Sequence, residues 1–465
     1  MVIEDMDPIG IIADENEELL KKFPDYKMKG LKRITFWRTV CKGKGKLPAE
    51  EKNDFVGYGI IKRDCTCSQN VDKWHVFEAV MPKYDHIHNC VPSSQTYEVA
   101  AAGRLRSVKG VLYCQQNGLN KACAHVALRS LLSLHLPGTE IPYSKLNRLA
   151  SQASSPFNPA DGLNVQHIRS ILDEFKIGYR DVDYDKKSLL ERCKLPYEKF
   201  LYAGIESGAG AMLGFRFTGP MSQNEHHIIP FFGHTFNQDA WVSEADINYF
   251  KVGEKTRYTP SEAWCSSFIG HDDNFGPNFC VPRLYVHPDQ AQYVVELLRP
   301  GVCYSGVVAE AAGVDYLYSI LQEIKDLNNP WLLRLLKCTR EQKVVLRAIS
   351  LNKKQYMAHI RKESDWQFHK EIPELCNLLE PLVPKTIWLV EVSIPQLFPT
   401  NLRKLGESVL DATCAPTSKQ DFGTFVFARF PNTTMLRTLV KGKPEFLTGS
   451  SGITSHVRLF QHKSL

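Results

Sequence analysis

The stretch CQQNGLNKACAHVAL, residues 114–128, places a cysteine where a polar, glycine-containing loop turns into an apolar helical pattern. The pattern predicts a helix that begins near Ala122 and continues to about His135, where a Pro-Gly step ends it. A cysteine in the first turn of a helix faces backbone N–H groups without intrahelical partners and the positive end of the helix dipole. These surroundings favour the thiolate, so Cys123 is a candidate nucleophile.

Three other segments supply the groups that a nucleophilic thiol needs. Gln116, just upstream, is a candidate amide donor for an oxyanion. His227 stands at the start of an apolar strand pattern over residues 227–236 and is a candidate general base. Asp272 follows a short apolar run and is a candidate for orienting that base. A nucleophile, an oxyanion donor, a base and a group that orients the base are the parts of an acyl-transfer site, so these candidates together indicate that chemistry.

Several alternatives to these assignments stay open. Gln115 and Asn117 are substitutes for Gln116 because both lie beside it. A cysteine in an apolar helix is often a core residue, a single histidine is often structural, and Asp-Asp-Asn favours a turn. His125 and His234 are predicted to be packing or turn residues. The other candidates for the carboxylate that orients His227 are Asp273, Asp239, Glu244 and Asp246.

The Gln and Cys-helix pattern and the order of the three groups resemble the papain-like cysteine peptidase superfamily. Over roughly residues 106–285 the chain is most similar to the bacteriocin-processing (double-glycine) type of bacterial peptidases. The resemblance implies a bacterial origin and a Cys helix packed on an antiparallel sheet. It also implies Gln116 as oxyanion donor, Cys123 as nucleophile, His227 as general base and Asp272 as the residue that orients it. The chain departs from the family in a longer Gln-to-Cys interval and in an apparent insertion over residues 235–265.

The expected fold class is α+β. We expect a β-rich N-terminal region over residues 1–105, a papain-like catalytic domain over 106–290 and a separate α/β C-terminal domain of unknown role over 291–465. Periodicity predicts helices over residues 165–175, 291–298 and 317–327. It predicts strands over residues 200–205, 212–217, 227–236, 385–392 and 423–430.

The leading functional hypothesis is a cysteine peptidase that hydrolyses a peptide or isopeptide bond through a Cys-His-Asp triad and a thioester, without a cofactor. Its partner would be a protein or peptide substrate. One alternative is a non-catalytic interaction protein on a peptidase-like scaffold. Another is a transglutaminase or acyltransferase that uses the same triad.

Composition favours a multidomain intracellular protein. The chain has 465 residues and an odd number of cysteines, 13, which indicates free thiols in a reducing compartment. The acidic start lacks a secretory pattern and no apolar run is long enough to span a membrane, so we expect a cytoplasmic protein without a membrane partner.

The net charge of +6 is modest and does not argue for nucleic acid. The C-terminal domain is a candidate for binding a partner protein. A basic region there is more typical of a solvated face than of a nucleic-acid site; it contains Lys337, Arg340, Lys343, Arg347, Lys353, Lys354, Arg361 and Lys362.

A second cluster of thiols and imidazoles lies nearer the N-terminus. Its members are Cys65, Cys67, His75, His86, His88 and Cys90. Enough ligands for tetrahedral zinc are present, but their spacing is irregular and lacks the two-residue gaps of zinc knuckles. The pattern favours ordinary loop and strand residues over a metal site.

Overall fold

The computed structural model describes residues 1–38, 54–82, 89–120, 122–158, 162–219, 222–236, 258–283, 285–323, 329–341, 343–362, 372–399, 402–416, 423–431, 433–440, 443–449 and 457–461. Within these residues the chain is an α+β protein built on several antiparallel sheets, as the sequence predicts for the fold class. None of the described helices is both long and apolar enough to cross a membrane.

The first sheet comes from the N-terminal part of the chain. Its strands are β1 (Val2–Asp5), β2 (Lys27–Trp37), β3 (Phe55–Thr66), β4 (Val71–Pro82), β6 (Gln95–Ala101) and β7 (Arg104–Tyr113). They lie in the order β1-β2-β3-β4-β7-β6, with every neighbouring pair antiparallel. The short strand β5 (Asn89–Cys90) pairs with the second sheet instead. Helix α1 (Ile11–Lys22) packs on the first sheet because Ile12 joins its apolar core.

The second sheet carries the strand on which His227 is predicted. Its strands are β8 (Tyr179–Asp183), β9 (Ala211–Gly219), β10 (Ser222–Phe236), β12 (Cys265–Asp272), β13 (Gly276–Pro282) and β14 (Ala291–Leu297). They lie in the order β13-β12-β10-β9-β14-β8, and each neighbouring pair is antiparallel.

Helices cover both faces of this second sheet. They are α2 (Cys123–His135), α3 (Tyr143–Ser151), α4 (Val165–Glu174), α5 (Leu189–Lys194) and α6 (Tyr197–Glu206). Ile228 packs with α2, α3 and α4 in one apolar core, while the next residue, Ile229, packs with α6 in another. This alternation is the period-two pattern of a strand that is buried on both faces.

The third sheet is C-terminal. Its strands are β11 (Thr259–Pro260), β15 (Val345–Asn352), β16 (Thr386–Ser393), β18 (Gly406–Asp411), β19 (Phe425–Phe430), β20 (Thr433–Val440) and β21 (Lys443–Gly449). They lie in that order, and every pair is antiparallel except the parallel pair β11–β15. A 3-10 turn, Ser261–Trp264, follows β11.

Helices also cover the third sheet. They are α7 (Gly306–Glu323), α8 (Pro330–Arg340), α9 (Lys353–Lys362) and α10 (Ile372–Leu379). Residues of α7 and α8 share one apolar core with the sheet, and residues of α9 and α10 share another. A separate two-stranded ribbon pairs β17 (Arg403–Lys404) with β22 (Val457–Arg458).

Most of the predicted elements are confirmed. The predicted helices at Ala122–His135 and 165–175 are α2 and α4. The strands predicted over 212–217, 227–236, 385–392 and 423–430 lie in or coincide with β9, β10, β16 and β19. The helix predicted over 317–327 begins earlier, as part of α7.

Two predicted elements are wrong. Residues 200–205, predicted as a strand, belong to α6, and residues 291–298, predicted as a helix, form β14. Every residue of α6 is buried, because the helix contacts strands of both the second and the third sheet. A short apolar run that is buried on all sides has no periodicity from which a helix and a strand can be told apart.

The three sheets do not divide at the predicted boundaries. β7, which continues past residue 105, belongs to the first sheet. β14, which lies beyond residue 290, is an inner strand of the second sheet between β9 and β8. β11, which precedes residue 290, pairs with the third sheet.

A buried ion pair joins α6 to the third sheet. Arg347 on β15 donates to Glu206 at the end of α6 and to Glu391 on β16, with N–O distances of 2.6–2.9 Å. Arg347 is 4% exposed, so its assignment to a solvated basic face is wrong. The charge of Arg347 holds the pKa of Glu206 below its usual range despite complete burial, which by itself would raise that pKa. Removing either Arg347 or Glu206 would leave the charge of the other buried without this counter-charge.

Replacing Arg347 with Ala should lower the free energy of unfolding by about 3–5 kcal/mol, because it removes the guanidinium from two buried carboxylates and leaves Glu206 with His234 and Glu391 with Lys404 as partners. Denaturant titration measures the loss. Arg361→Ala, which removes the exposed ion pair with Glu380, is the matched control and should cost less than about 1 kcal/mol. Equal losses in the two variants would show that the buried pair contributes no more than a surface pair.

Candidate active site

Cys123 is the first residue of α2. The N-cap residue, Ala122, makes no side-chain capping hydrogen bond, so the N–H groups of the first turn have no side-chain acceptor from the cap. From Ala124 to Leu134 every residue of the helix is buried, whereas Cys123 itself is half-buried. The core therefore fixes the helix, and Cys123 at its N-terminal end is only partly buried.

The imidazole of His227 meets this thiol. The two side chains form a hydrogen bond, although they lie far apart in the sequence. His227 is 6% exposed, and its ring packs edge-to-face on Phe215 of β9, with ring centroids 5.7 Å apart. The second sheet thus holds the ring in a defined orientation beside the start of α2.

Asp272 contacts the imidazole at Nε2. Its Oδ2 lies 3.3 Å from Nε2 of His227. Its Oδ1 accepts hydrogen bonds from the backbone N–H groups of Asn274 and Phe275 at 2.8 and 3.1 Å. The same carboxylate therefore closes the turn after β12 and orients the histidine, so the structure contains both arrangements considered from the sequence.

The local charges keep His227 protonated. Burial lowers the pKa of His227, but hydrogen bonds with Asp272 and Cys123 and the charges of Asp273 and Asp272 raise it to about 10. Burial also raises the pKa of Asp272, but the hydrogen bond and charge of His227 and the backbone N–H groups hold it below its usual range. At neutral pH the site contains an imidazolium beside an ionised carboxylate, a pair that stabilises a neighbouring thiolate.

Asp273 brings a second carboxylate to the same imidazole. Its Oδ1 lies 3.5 Å from His227 Nε2, but neither of its oxygens has a hydrogen-bond partner among the described residues. Asp273 is 6% exposed, and burial together with the charge of Asp272 raises its pKa to about 6. Of the two adjacent carboxylates, Asp272 is the better orienting residue because it is closer to His227 and fixed by the turn.

The three candidate amide donors differ in the hydrogen bonds that their side chains already make. Asn117 donates to Glu15 and accepts from the backbone N–H groups of Leu119 and Asn120, so its amide is committed to its own loop. The Gln115 Oε1 accepts from the backbone N–H of Val76, which ties that side chain to β4.

Gln116 remains the best candidate for an oxyanion donor. No hydrogen bond of its side chain is present within the described residues. It lines the same cavity as Asp273, the neighbour of His227.

The N-terminal sheet positions this loop, which the sequence did not reveal. Glu15 on α1 accepts from Asn117 Nδ2 at 3.1 Å and from the buried Lys62 at 2.7 Å. Lys62 is fully buried and also lies 3.3 Å from Asp64. A glutamate in an acidic helix carries no local signal of such a role, because the contact spans two separate elements.

The other predicted residues lie away from the thiol or outside the described residues. His125 is buried and hydrogen-bonds with Asn147, and His234 hydrogen-bonds with Glu206 at 2.6 Å, so both are packed structural residues. The alternative carboxylates Asp239, Glu244 and Asp246 lie outside the described residues.

The irregular Cys and His cluster is not assembled as a set. Cys65 and His75 lie on β3 and β4 of the first sheet, whereas Cys90 pairs with β10 of the second. Cys67 is exposed in the turn after β3, and His86 and His88 lie outside the described residues. Cys90 instead lies near Glu206 and His234. Glu206 already pairs with Arg347, whose positive charge disfavours a metal ion there.

The His227, Asp272 and Asp273 group is the second set with metal-ligand chemistry, since its ligand atoms lie within 4.8 Å of one another. A protonated imidazole cannot ligate a metal, and the raised pKa of His227 favours the protonated ring. The arrangement fits acid–base chemistry at a thiol better than it fits metal ligation.

Comparisons of the chain with family models, with curated proteins and with solved structures found no match. The geometry of the side chains is therefore the basis for any proposed function.

Replacing Asp273 with Asn should stabilise the protein at pH 8 and not at pH 4. The raised pKa means that the folded state favours the protonated carboxyl, so stability is full below about pH 4 and falls as pH rises through about 6. The uncharged amide avoids this cost, which amounts to as much as about 3 kcal/mol. Thermal or denaturant unfolding at both pH values measures the difference.

The exposed Asp7 provides the matched control for that comparison. Asp7→Asn should leave the free energy of unfolding nearly unchanged at both pH values, because the carboxylate stays solvated in the folded state. A stabilisation by Asp273→Asn that is independent of pH would contradict the electrostatic explanation.

Proposed function

We propose that the protein is a papain-like cysteine peptidase that hydrolyses a peptide or isopeptide bond by acyl transfer. The observation that carries the proposal is the half-buried Cys123 at a helix N-terminus, hydrogen-bonded to His227, whose Nε2 lies 3.3 Å from Asp272. A nucleophile, a base and a group that orients the base are the three parts that this chemistry requires.

The mechanism follows from the roles of these groups. The Cys123 thiolate attacks the carbonyl carbon of the substrate, and the amide of Gln116 with the backbone N–H of Cys123 stabilises the resulting oxyanion. His227 donates its proton to the leaving amine as the carbon–nitrogen bond breaks, which leaves a thioester. His227 then takes a proton from water, whose oxygen attacks the thioester carbon; the carbon–sulfur bond breaks, which releases the acid and restores the Cys123 thiolate and the protonated His227.

The placement of the secondary structure supports the papain-like assignment. The Cys helix, α2, packs against an antiparallel sheet whose strands β10 and β12 carry His227 and Asp272. This is the arrangement that the sequence resemblance implies. An acyltransferase would use the same residues and differ in the acceptor that reaches the thioester. Hydrolysis remains the proposal because the described contacts single out no amine acceptor.

An electrophilic probe should label Cys123 in preference to the exposed Cys67, Cys280, Cys303 and Cys414, which serve as internal controls. We expect labelling of Cys123 to be about 100-fold faster than that of the exposed cysteines, because Cys123 lies at a helix N-terminus and hydrogen-bonds with His227. Iodoacetamide with peptide-level mass spectrometry measures each rate.

In that labelling experiment, two histidine variants distinguish activation of the Cys123 thiol by His227 from simple accessibility of the thiol. His227→Ala should reduce the Cys123 rate to that of the exposed cysteines. His226→Ala should leave the rate unchanged, since His226 is exposed and hydrogen-bonds with Gln292. Uniform slow labelling of all cysteines in the unmodified protein would support the alternative of a non-catalytic scaffold.

Gln116→Ala should lower kcat for hydrolysis of a denatured protein substrate by about 10²–10³-fold, because one oxyanion donor is lost. The release of new amino groups measures the activity. Exposed Gln166 on α4 provides the control, and Gln166→Ala should retain full activity. EDTA should have no effect, since the proposed step needs no metal ion. Full activity of Gln116→Ala would assign the oxyanion donor to another residue.

A further inference from the structure

A cavity of about 640 Å³ lies between the N-terminal elements and the candidate active site. One wall comes from the end of α1 and from β4, another from the loop that precedes α2, and a third from the turn after β12. Its size is within the range of ligand pockets. Because Gln116 lines it together with Asp273, a ligand in the cavity would lie beside the proposed oxyanion donor.

Two lysine ammonium groups lie on the wall of the cavity that α1 and β4 form. The exposed Lys73 on β4 lies against Gly118, because a Cβ atom added there would be 2.2 Å from the ammonium nitrogen. Among the described residues Lys73 has no ion-pair partner, and it does not come within 4.0 Å of Asp273. Within the described residues the Lys22 ammonium donates to a neutral acceptor, Asn120 Oδ1, and lies over the ring of Phe23. Both charges are therefore available to a ligand.

The wall formed by the turn after β12 presents an acceptor that is buried without a hydrogen bond to the described residues. Asp273 lines the cavity, is 6% exposed, and has no hydrogen-bond partner for either oxygen within the described part of the chain. A buried carboxylate without donors is costly, and a ligand N–H group would satisfy it. The cavity thus offers cations on one side and a hydrogen-bond acceptor on the other.

We propose that this cavity binds a peptide segment that carries a carboxylate, with the carboxylate at Lys73 and Lys22 and a peptide N–H at Asp273. The inference rests on the proposed function in that it names the substrate class of the same site. The amide side chains that also line the cavity, such as those of Gln116 and Asn274, both donate and accept, as peptide groups require.

A peptide suits the cavity better than an inorganic anion. Phosphate would satisfy the lysines, but its negative oxygens would face Asp273 and offer it no N–H donor. A peptide with an acidic residue or a free C-terminus carries the carboxylate and the N–H groups in one molecule. The source of the carboxylate, a side chain or a chain terminus, is distinguished by the choice of probes.

The test measures binding to full-length Cys123→Ala protein, so that no turnover is needed. Calorimetric or NMR titration would compare N-acetyl-Glu-Glu-amide with N-acetyl-Gln-Gln-amide, and also with N-acetyl-Gln-Gln that has a free C-terminus. We expect at least one carboxylate-bearing probe to bind about tenfold more tightly than the neutral amide. The advantage should decrease as the salt concentration rises.

Lysine variants in the same Cys123→Ala background assign that preference to the cavity. Lys73→Gln should remove most of the tenfold advantage. Lys337→Gln, which removes an equally exposed lysine on α8, should preserve it. Equal binding of charged and neutral probes, loss of the preference in both lysine variants, or phosphate binding as tightly as the acidic probe would overturn the proposal.

The result of this binding experiment does not depend on whether Cys123 is a catalytic nucleophile. A Lys73-dependent preference combined with an unreactive Cys123 would retain the binding site and reject the peptidase. A reactive Cys123 without any carboxylate preference would retain the peptidase and reject this substrate class.

Discussion

The register between β10 and β12 is the constraint on which the candidate site depends. Phe231 lies opposite Gly270, and this pairing brings His227 and the end of β12 together. A slip of one residue would turn the side chains of a strand to the other face of its sheet. The register is held because β10 is packed against α2 on one side and α6 on the other. The burial of apolar side chains on both faces of β10 thus determines the position of the His227 imidazole.

The site places several charged groups in a buried environment, where a charge costs free energy. Asp272 and Asp273 both approach Nε2 of one imidazole, and their negative charges favour its protonated form. Asp272 is compensated by His227 and by the N–H groups of its turn, but Asp273 is poorly compensated. Strongly perturbed titratable groups in a cleft are typical of functional sites, although structural ion pairs also perturb pKa values. Of these features, the poorly compensated carboxylate of Asp273 is the one that a purely structural role explains least well.

The site is assembled from more of the chain than its central residues. Glu15 on α1 fixes Asn117, and so fixes the loop that carries Gln116 toward the start of α2. On the far side of the second sheet, Arg347 ties the third sheet to α6. The N-terminal elements therefore contribute directly to the candidate site, while the C-terminal sheet supports the helix behind it.

The sequence by itself determined the local elements: the helix that begins at Cys123, the strand that carries His227 and the turn that begins at Asp272. These follow from periodicity, from helix-end residues and from turn-forming residues, all of which act within a few positions along the chain. Only the tertiary structure decided that Asp272 is better placed than Asp273 to orient the histidine, and that Asn117 is committed to Glu15. It also decided that residues 200–205 are helical. Those outcomes depend on contacts between elements remote in sequence and on burial from all sides, and neither leaves a periodic signal in the amino-acid order.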